Sequence, residues 1–295
     1  AAGLGITADI AVRINPDVDA KTHEKITTGK SENKFGIDLA VAQAVYARAA
    51  KLPGINVCGV ALHIGSQLMD LAPYREAYGR AVDFVRVLRA EGIGIEHLDL
   101  GGGLGITYKD ETAPSPADYG AMATEVVGDL DVTVTFEPGR VITGNAGVLV
   151  TRVLFVKEGL AKRFCIIDGA MNDLIRPTLY SAHHEIVPVF KPTATSPHVI
   201  MDVVGPICES GDYIAKDRSL PMVVAGDLLA IRTTGAYAAV MGSTYNTRPL
   251  APEVLVNGDE FAVIRRRFTV EDMLGLESFP AWLRDEPPIR AKGAE

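Results

Sequence analysis

The first 147 residues alternate short apolar runs with longer segments of helical periodicity, and this alternation restricts the fold more than any other feature. The apolar runs predict four β-strands, at residues 8–14, 57–64, 96–100 and 132–136. Asp38 and Ser115 each precede a helical segment, as N-cap residues do, and residues 74–88 repeat apolar side chains at helical spacing. Strands that alternate with helices predict a parallel sheet. Four strands are too few for a closed eight-stranded barrel, so the pattern fits either an open sheet or half of a barrel.

After about residue 147 the pattern changes to short strands separated by Gly, Pro and Asp turns, with little helix between them. The predicted strands are at residues 148–156, 164–167, 185–189, 198–204, 228–233 and 261–265. Residues 270–283 predict a short helix near the end of the chain. We therefore expect an α/β part at 1–147 and an all-β part, a barrel or sandwich, at 148–295.

Composition restricts the class of function. The net charge of -8 opposes an electrostatic grip on nucleic acid, and no apolar run is long enough to span a membrane. Cys58, Cys165 and Cys208 have no metal-ligand spacing and are odd in number, which predicts no metal site and favours a reducing cytoplasm.

The motif Glu137-Pro138-Gly139-Arg140 follows the fourth predicted strand, at the end of a strand where ligand sites of α/β proteins lie. The Pro-Gly turn lets the backbone approach a ligand closely at Gly139. The Glu137 carboxylate suits a protonated ring nitrogen, and the Arg140 guanidinium suits a carboxylate, which it binds through two parallel hydrogen bonds. A solvated strand-to-loop turn is the alternative explanation of these four residues.

The ends of the second and third predicted strands carry groups suited to a phosphorylated ring. His63 is placed to stack on a flat ring, Ser66 to contact an anion, and Gly101-Gly102-Gly103 to wrap backbone N–H groups around a phosphate. Each also fits a structural role, as a hydrogen-bonded histidine or a tight turn. Together with Glu137 they suit pyridoxal phosphate, whose ring accepts electrons when a carboxylate keeps its nitrogen protonated.

The β part carries three further candidate groups. Arg176 and Tyr180 are four residues apart, so they point the same way if that stretch is helical. Cys208 and Glu209 place a thiol beside a carboxylate, a pair suited to moving a proton and holding an ammonium. Tyr237 lies among small residues, where its phenol can reach a ligand. Each of these residues also fits a purely structural role.

These motifs together resemble the fold-type III pyridoxal-phosphate decarboxylases, and most closely those that act on diaminopimelate. The blocks that carry the resemblance occur in the order of the family, at residues 31–37, 63–67, 101–106, 137–140, 171–177, 208–212 and 236–246. The glycine run and the 137–140 block are shared with ornithine and arginine decarboxylases. The 171–177 block, MNDLIRP, is more particular to the diaminopimelate enzymes.

The resemblance implies a role for each candidate residue. The cofactor-binding residues would be His63, Ser66, Gly102, Gly103, Glu137, Pro138, Gly139, Arg140 and Tyr237. The substrate-binding residues would be Arg140, Arg176, Tyr180, Glu209 and Tyr237. His63, stacked on the ring, and Cys208, which would return a proton to the substrate, would be the catalytic pair.

The implied reaction is decarboxylation of meso-2,6-diaminopimelate to L-lysine and carbon dioxide. The family is dimeric, and its 208–212 block reaches into the site of the partner, so the resemblance implies a homodimer. The alternatives are a non-catalytic homologue and a related decarboxylase for ornithine, arginine or carboxynorspermidine. A non-catalytic homologue has no chemical use for the acid, thiol and substrate motifs together.

One feature of the family is absent from these 295 residues. The Schiff-base lysine of the family lies in a block like Tyr-Ala-x-Lys-Ala, and no such block occurs here. The chain also starts at Ala1, without an initiator Met. We therefore expect the C-terminal half of an eight-stranded barrel followed by the β domain, accompanied in the working enzyme by a segment that carries the lysine.

Overall fold

The computed structural model describes residues 1–20, 28–29, 34–190 and 197–283. Part of the 31–37 block therefore lies outside the described residues. The first part of the chain forms a parallel sheet in the strand order β2-β1-β3-β4-β5. Its strands are β1 (Ala8–Asn15), β2 (Ile37–Asp38), β3 (Ile55–Ala61), β4 (His97–Asp99) and β5 (Thr133–Thr135).

Helices cover this sheet. They are α1 (Leu39–Ala49), α2 (Ala72–Ala90), α3 (Pro116–Val127) and the short α4 (Arg140–Thr143). Of these, α1 and α3 begin where the sequence predicts, whereas the short α4 is not predicted. The Asp38 side chain accepts from the N–H of Ala40, and the Ser115 hydroxyl accepts from the N–H of Asp118, so both predicted N-caps are confirmed.

The four predicted strands of this part are found, but three of them end earlier than predicted, and the two-residue β2 is not predicted. The strand expected at 57–64 ends at Ala61, and those expected at 96–100 and 132–136 have three residues each. These three strands end early because the residues that follow them belong to the loops that carry the motifs. His63 therefore lies two residues beyond β3, in a loop.

The second part of the chain forms a six-stranded sheet in the order β10-β9-β7-β6-β11-β8, antiparallel except where β7 pairs with β9. Its strands are β6 (Leu149–Glu158), β7 (Arg163–Ile167), β8 (Ile186–Pro188), β9 (His198–Val204), β10 (Tyr213–Pro221) and β11 (Leu228–Ile231). A separate hairpin joins β12 (Glu253–Asn257) to β13 (Glu260–Arg265).

Two of these strands, β10 and β12, are not predicted from the sequence. β10 carries Lys216, Asp217 and Arg218 in succession at its centre, and its pairing with β9 shifts register between Ala215 and Arg218. Asp217 has a φ of 48° in that interval. A bulge of this kind breaks the alternation of apolar and polar side chains that identifies a strand.

Helices in the second part are short. They are α5 (Arg176–Tyr180) and α6 (Val270–Leu274), with 3-10 turns at Ala239–Met241, Tyr245–Thr247 and Ala281–Leu283. The first part has 3-10 turns at Ala2–Leu4 and Gly144–Ala146. The helix predicted over 270–283 is thus only α6 and one later turn. None of the described helices has the length and apolar character needed to cross a membrane.

The parallel sheet packs its helices through a core that also fixes the loops after the strands. Tyr74 and Tyr78, one turn apart on α2, are fully buried. The Tyr74 hydroxyl donates to the carbonyl of Gly102 at 3.3 Å, and the Tyr78 hydroxyl to the carbonyl of Leu100 at 3.1 Å. The helix therefore holds the glycine run after β4 from behind.

Candidate active site

The loops after β3, β4 and β5 are hydrogen-bonded to one another at the carboxyl ends of the strands. The backbone N–H of Gly102 donates to Nδ1 of His63 at 3.2 Å. The backbone N–H of Glu137 donates to the carbonyl of Gly101 at 2.8 Å. Because parallel strands end at the same edge of the sheet, three motifs distant in sequence meet here, as predicted.

Close backbone approach explains why glycine follows β4. A Cβ atom at Gly102 would lie 2.1 Å from the carbonyl oxygen of Glu137, and one at Gly103 would lie 2.0 Å from the carbonyl oxygen of Gly65. Gly103 also has a φ of +102°, which side chains disfavour. No other residue fits at these two positions without moving the neighbouring loop.

A cavity of about 470 Å³ opens beside these loops and has the size of a small-molecule site. It is lined by Thr28, His63, Ser66, Gln67, Tyr108, Lys109, Glu111, Arg140, Arg176, Tyr180, Ala182, His183 and Tyr237. Six of the predicted site residues are among them, from both parts of the chain. A second hollow of about 460 Å³, between α3 and β5, brings together none of the predicted site residues.

Two of the charged residues that line the cavity are buried arginines. Arg140 and Arg176 are each 6% exposed. Arg140 donates from Nη1 to the Tyr108 hydroxyl at 2.6 Å and from Nη2 to the Ser66 hydroxyl at 3.0 Å, while its Nε has no partner. Within the described part of the chain, neither guanidinium forms an ion pair with Asp or Glu. Burying a cation without a counter-charge costs several kcal/mol, so the site is built to receive an anion.

Aromatic rings replace carboxylates around these cations. The Cζ of Arg140 lies 4.7 Å from the ring centre of Tyr237, and the Cζ of Arg176 lies 4.4 Å from that of Tyr108. A cation over a ring face gains about 1–2 kcal/mol when the pair is partly desolvated. Burial lowers the pKa of Arg176, and the nearby positive charge of Arg140 lowers it further.

His184, a residue that the sequence does not single out, completes this cluster. It is fully buried, and its Nε2 lies 2.8 Å from Nη1 of Arg176 while its Nδ1 lies 2.9 Å from the carbonyl of Arg232. Burial lowers the pKa of His184 to about 4, despite the opposing effect of the Arg232 carbonyl. The imidazole is therefore neutral near pH 7.

His63 lines the cavity, and hydrogen bonds to its backbone carbonyl fix its position. That carbonyl accepts from Nη2 of Arg13 at 3.1 Å and from the Thr28 hydroxyl at 2.8 Å. Burial lowers the pKa of His63, and the charge of Arg13 lowers it further. A neutral ring at this place suits stacking on a flat ligand.

Strained backbone surrounds the cavity. Gln67 and Tyr237, which line it, have φ values of 61° and 59°, and Ser181, which follows α5, has a φ of 52°. The Gln67 amide stabilises its own strained position by bonding both the N–H and the carbonyl of Ile106. Such outliers concentrate at functional sites.

Several predicted residues do not line this cavity. Glu137, Pro138 and Gly139 are exposed at the end of β5. Cys208 and Glu209 are exposed in the loop before β10, where the Glu209 carboxylate accepts from the N–H of Gly211. The roles assigned to these five residues stay predictions, as do those of the residues that line the cavity.

Buried Asp212 anchors the loop that carries Cys208 and Glu209. It is 3% exposed, and its carboxylate accepts from the N–H groups of Met171 and Ile207, both at 2.7 Å. The loop is thereby tied to the start of the segment that leads into α5. Burial raises the pKa of Asp212, while these two hydrogen bonds lower it.

Comparison with known proteins identifies the family. Residues 3–144 match the family described as "Pyridoxal-dependent decarboxylase, pyridoxal binding domain". The chain is 52% identical over 278 residues to a diaminopimelate decarboxylase of Pseudomonas aeruginosa and 50% identical over 277 residues to that of Neisseria meningitidis serogroup A. These alignments cover 94% of the chain and 66% and 68% of the relatives, so the chain spans about two thirds of their length.

Solved structures agree with these relatives. The crystal structure of a Helicobacter pylori diaminopimelate decarboxylase complexed with L-lysine matches with a TM-score of 0.89 and 42% identity. That match covers 93% of the chain and 68% of the solved chain. With half of its residues shared over nearly all its length, this chain belongs to the diaminopimelate decarboxylase family of pyridoxal-dependent enzymes.

Proposed function

We propose that this chain forms most of the active site of an enzyme that decarboxylates meso-2,6-diaminopimelate to L-lysine and carbon dioxide. The observation that carries the proposal is the pair of buried arginines, Arg140 and Arg176, which have no carboxylate partner among the described residues. Diaminopimelate offers an amino-acid carboxylate at each end. The names of the relatives and the L-lysine complex support the same substrate and product.

The residues present fit pyridoxal phosphate. The close-packed backbone at Gly102 and Gly103 leaves room only for glycine, as a phosphate-binding loop requires, and the Nε of Arg140 is a buried donor without a partner. When bound, the cofactor supplies an electron-accepting ring that stabilises negative charge where carbon dioxide leaves. His63 would lie against its ring, with Ser66 and the Gly139 turn at its phosphate.

Glu137 would orient the cofactor and keep its ring nitrogen protonated. Its exposed carboxylate follows β5, next to the loop after β4 that carries the glycines. A carboxylate beside a pyridine nitrogen stabilises the protonated form. The expected consequence is a stronger electron demand on the substrate carbon that loses its carboxylate.

The substrate end that keeps its carboxylate would bind at the arginines. A cation held on the departing carboxylate would stabilise the ground state and slow the reaction, so the arginines serve the far end. Arg176 and Tyr180 reach the cavity from α5, and Tyr237 lies over Arg140. Ornithine has no far carboxylate and would leave this charge unpaired, which disfavours it as a substrate.

A second protomer would complete the site. We propose a homodimer in which the loop of Cys208 and Glu209 enters the partner's cavity. There the Cys208 Sγ would deliver a proton to the carbon that has lost carbon dioxide, and Glu209 would hold the far ammonium. The exposure of both residues and the Asp212 anchor of their loop support this arrangement.

The greater length of the relatives supports a proposal about the remaining parts of the enzyme. We propose that residues 1–147 form the C-terminal half of an eight-stranded α/β barrel and that residues 148–295 form the β domain. The Schiff-base lysine would come from a segment outside these 295 residues. The three free cysteines fit a cytoplasmic enzyme.

The test is release of carbon dioxide by the protein loaded with pyridoxal phosphate, with any further segment that its gene encodes. Diaminopimelate, ornithine, arginine and carboxynorspermidine are compared at equal concentration. We expect turnover of diaminopimelate and little of the other three. Equal turnover of ornithine would contradict the substrate, and a loaded protein that turns over none of them would be a non-catalytic homologue.

A further inference from the structure

The two buried arginines share one aromatic ring. Tyr108 accepts a hydrogen bond from Arg140 through its hydroxyl at 2.6 Å, and its ring lies 4.4 Å from the Cζ of Arg176. The ring of His184 meets that of Tyr108 edge-on, with their centres 5.4 Å apart. Tyr108 and His184 therefore form a scaffold that contacts both cations.

The hydrogen bonds of His184 determine its tautomer. The carbonyl of Arg232 can only accept, so Nδ1 must carry the proton. A guanidinium can only donate, so Nε2 must offer its lone pair to Nη1 of Arg176. Both ring nitrogens are used, and the ring is neutral while it holds the arginine in place.

A neutral partner has a different effect from a carboxylate. An aspartate or glutamate at this distance would cancel the charge of the guanidinium and compete with any anionic ligand for its N–H groups. An imidazole lone pair and a phenol orient the guanidinium groups and leave their charge in place. Contacts with the ring faces of Tyr108 and Tyr237 offset part of the free-energy cost of burying the two charges.

We propose that His184 and Tyr108 are positioning residues, which hold Arg176 and Arg140 in place without neutralising them and so make the site select a ligand end that carries a carboxylate. This inference rests on the proposed function, because it assumes that the far end of the substrate lies at these arginines. It assigns to His184 a share of the substrate specificity although the side chain does not line the cavity.

The test uses two ligands that differ only in that carboxylate. L-Lysine, the proposed product, keeps the far carboxylate, and pentane-1,5-diamine is the same molecule without it. Calorimetry with the pyridoxal-phosphate-loaded protein gives both dissociation constants. We expect L-lysine to bind roughly 100-fold more tightly, because the diamine leaves the guanidinium unpaired.

Each variant of His184 replaces the hydrogen bond of one of its two ring nitrogens. H184N keeps an N–H near the Arg232 carbonyl and removes the acceptor of Arg176, whereas H184Q places an amide oxygen toward Arg176. We expect H184N to weaken L-lysine binding roughly 10-fold with no change for the diamine, and H184Q to restore part of the loss. H198N, the same change at the exposed start of β9, is the control and should bind as the parent does.

Each outcome bears on one of the two proposals. A parent protein that binds both ligands equally would overturn the proposed function, since no carboxylate is then recognised. A parent that discriminates, with an H184N variant that discriminates equally well, would overturn the positioning role alone. Equal loss of both ligands in H184N, with a lowered melting temperature, would show that His184 is merely structural.

Discussion

The stability of the protein should fall in mildly acidic solution because of His184, and the H184N variant isolates this effect. The pKa of His184 is lowered by burial from 6.5 to about 4 in the folded protein. Well above pH 6.5 the residue is neutral in both states and contributes nothing to the pH dependence. Between pH 6.5 and 4 the unfolded chain binds a proton that the folded protein does not, so stability falls as the pH falls.

The size of the effect follows from that shift. Two and a half pH units at 1.36 kcal/mol each correspond to about 3 kcal/mol at the acid limit, of which about 2 kcal/mol is lost by pH 5. Urea denaturation of the parent and of H184N, without ligand and at equal protein concentration, gives the free energy of unfolding from pH 5 to 7.5. Other titrating groups are present in both proteins and cancel in the difference.

The expected result is a parent protein that loses about 2 kcal/mol more than H184N between pH 7.5 and 5. The absolute stability of the variant does not matter, because only the slopes are compared. Parallel curves for the two proteins would refute the reasoning and would mean that His184 titrates normally in the folded state. A steeper fall in H184N would reverse the sign and refute it as well.

Three further predictions follow from the geometry. G103A should lose about 3 kcal/mol of unfolding free energy or fail to bind pyridoxal phosphate, because Gly103 has a φ of +102° and the Gly65 carbonyl lies 2.0 Å from the added Cβ. The control is G94A, which has open space around the added Cβ and should match the parent in chemical denaturation. G120A should raise the free energy of unfolding by about 0.5–1 kcal/mol, and with it the melting temperature, because Gly120 lies inside α3 with nothing within 4 Å of an added Cβ. A lowered melting temperature would contradict this. C208A and H63A should each be inactive. If sites are shared across a twofold dimer, an equal mixture should regain about a quarter of parental turnover after subunit exchange, because half of the dimers are mixed and each has one intact site. No recovery would argue against a shared site.

The sequence predicts the parts of this molecule that depend on local chemistry. Asp38 and Ser115 mark the starts of α1 and α3 because capping requires only a side-chain oxygen and a nearby N–H. The motifs at His63 and Arg140 are found because loops after parallel strands meet at one edge of the sheet. These inferences need no knowledge of how distant segments pack.

The rest of the site depends on packing between distant segments. Tyr108 and His184 are 76 positions apart, and neither lies in a motif, yet their rings touch between the two arginines. Strand β10 is hidden for a different reason, since the irregular backbone near Asp217 interrupts its alternation. Patterns along the chain do not contain either kind of information.

The hydrogen bonds from α2 to the loop after β4 have a consequence for mutational studies. Tyr74 and Tyr78 hold two carbonyl groups of that loop from its buried side, and neither hydroxyl lies in the cavity. Replacing Tyr74 by phenylalanine removes its hydrogen bond to Gly102, and replacing Tyr78 removes its bonds to Leu100 and to the Tyr119 hydroxyl; both changes leave the ring in place. The defect should therefore surface as weaker retention of the phosphate group with the melting behaviour of the empty protein little altered. A screen scored on activity alone would assign these interior residues to the ligand site.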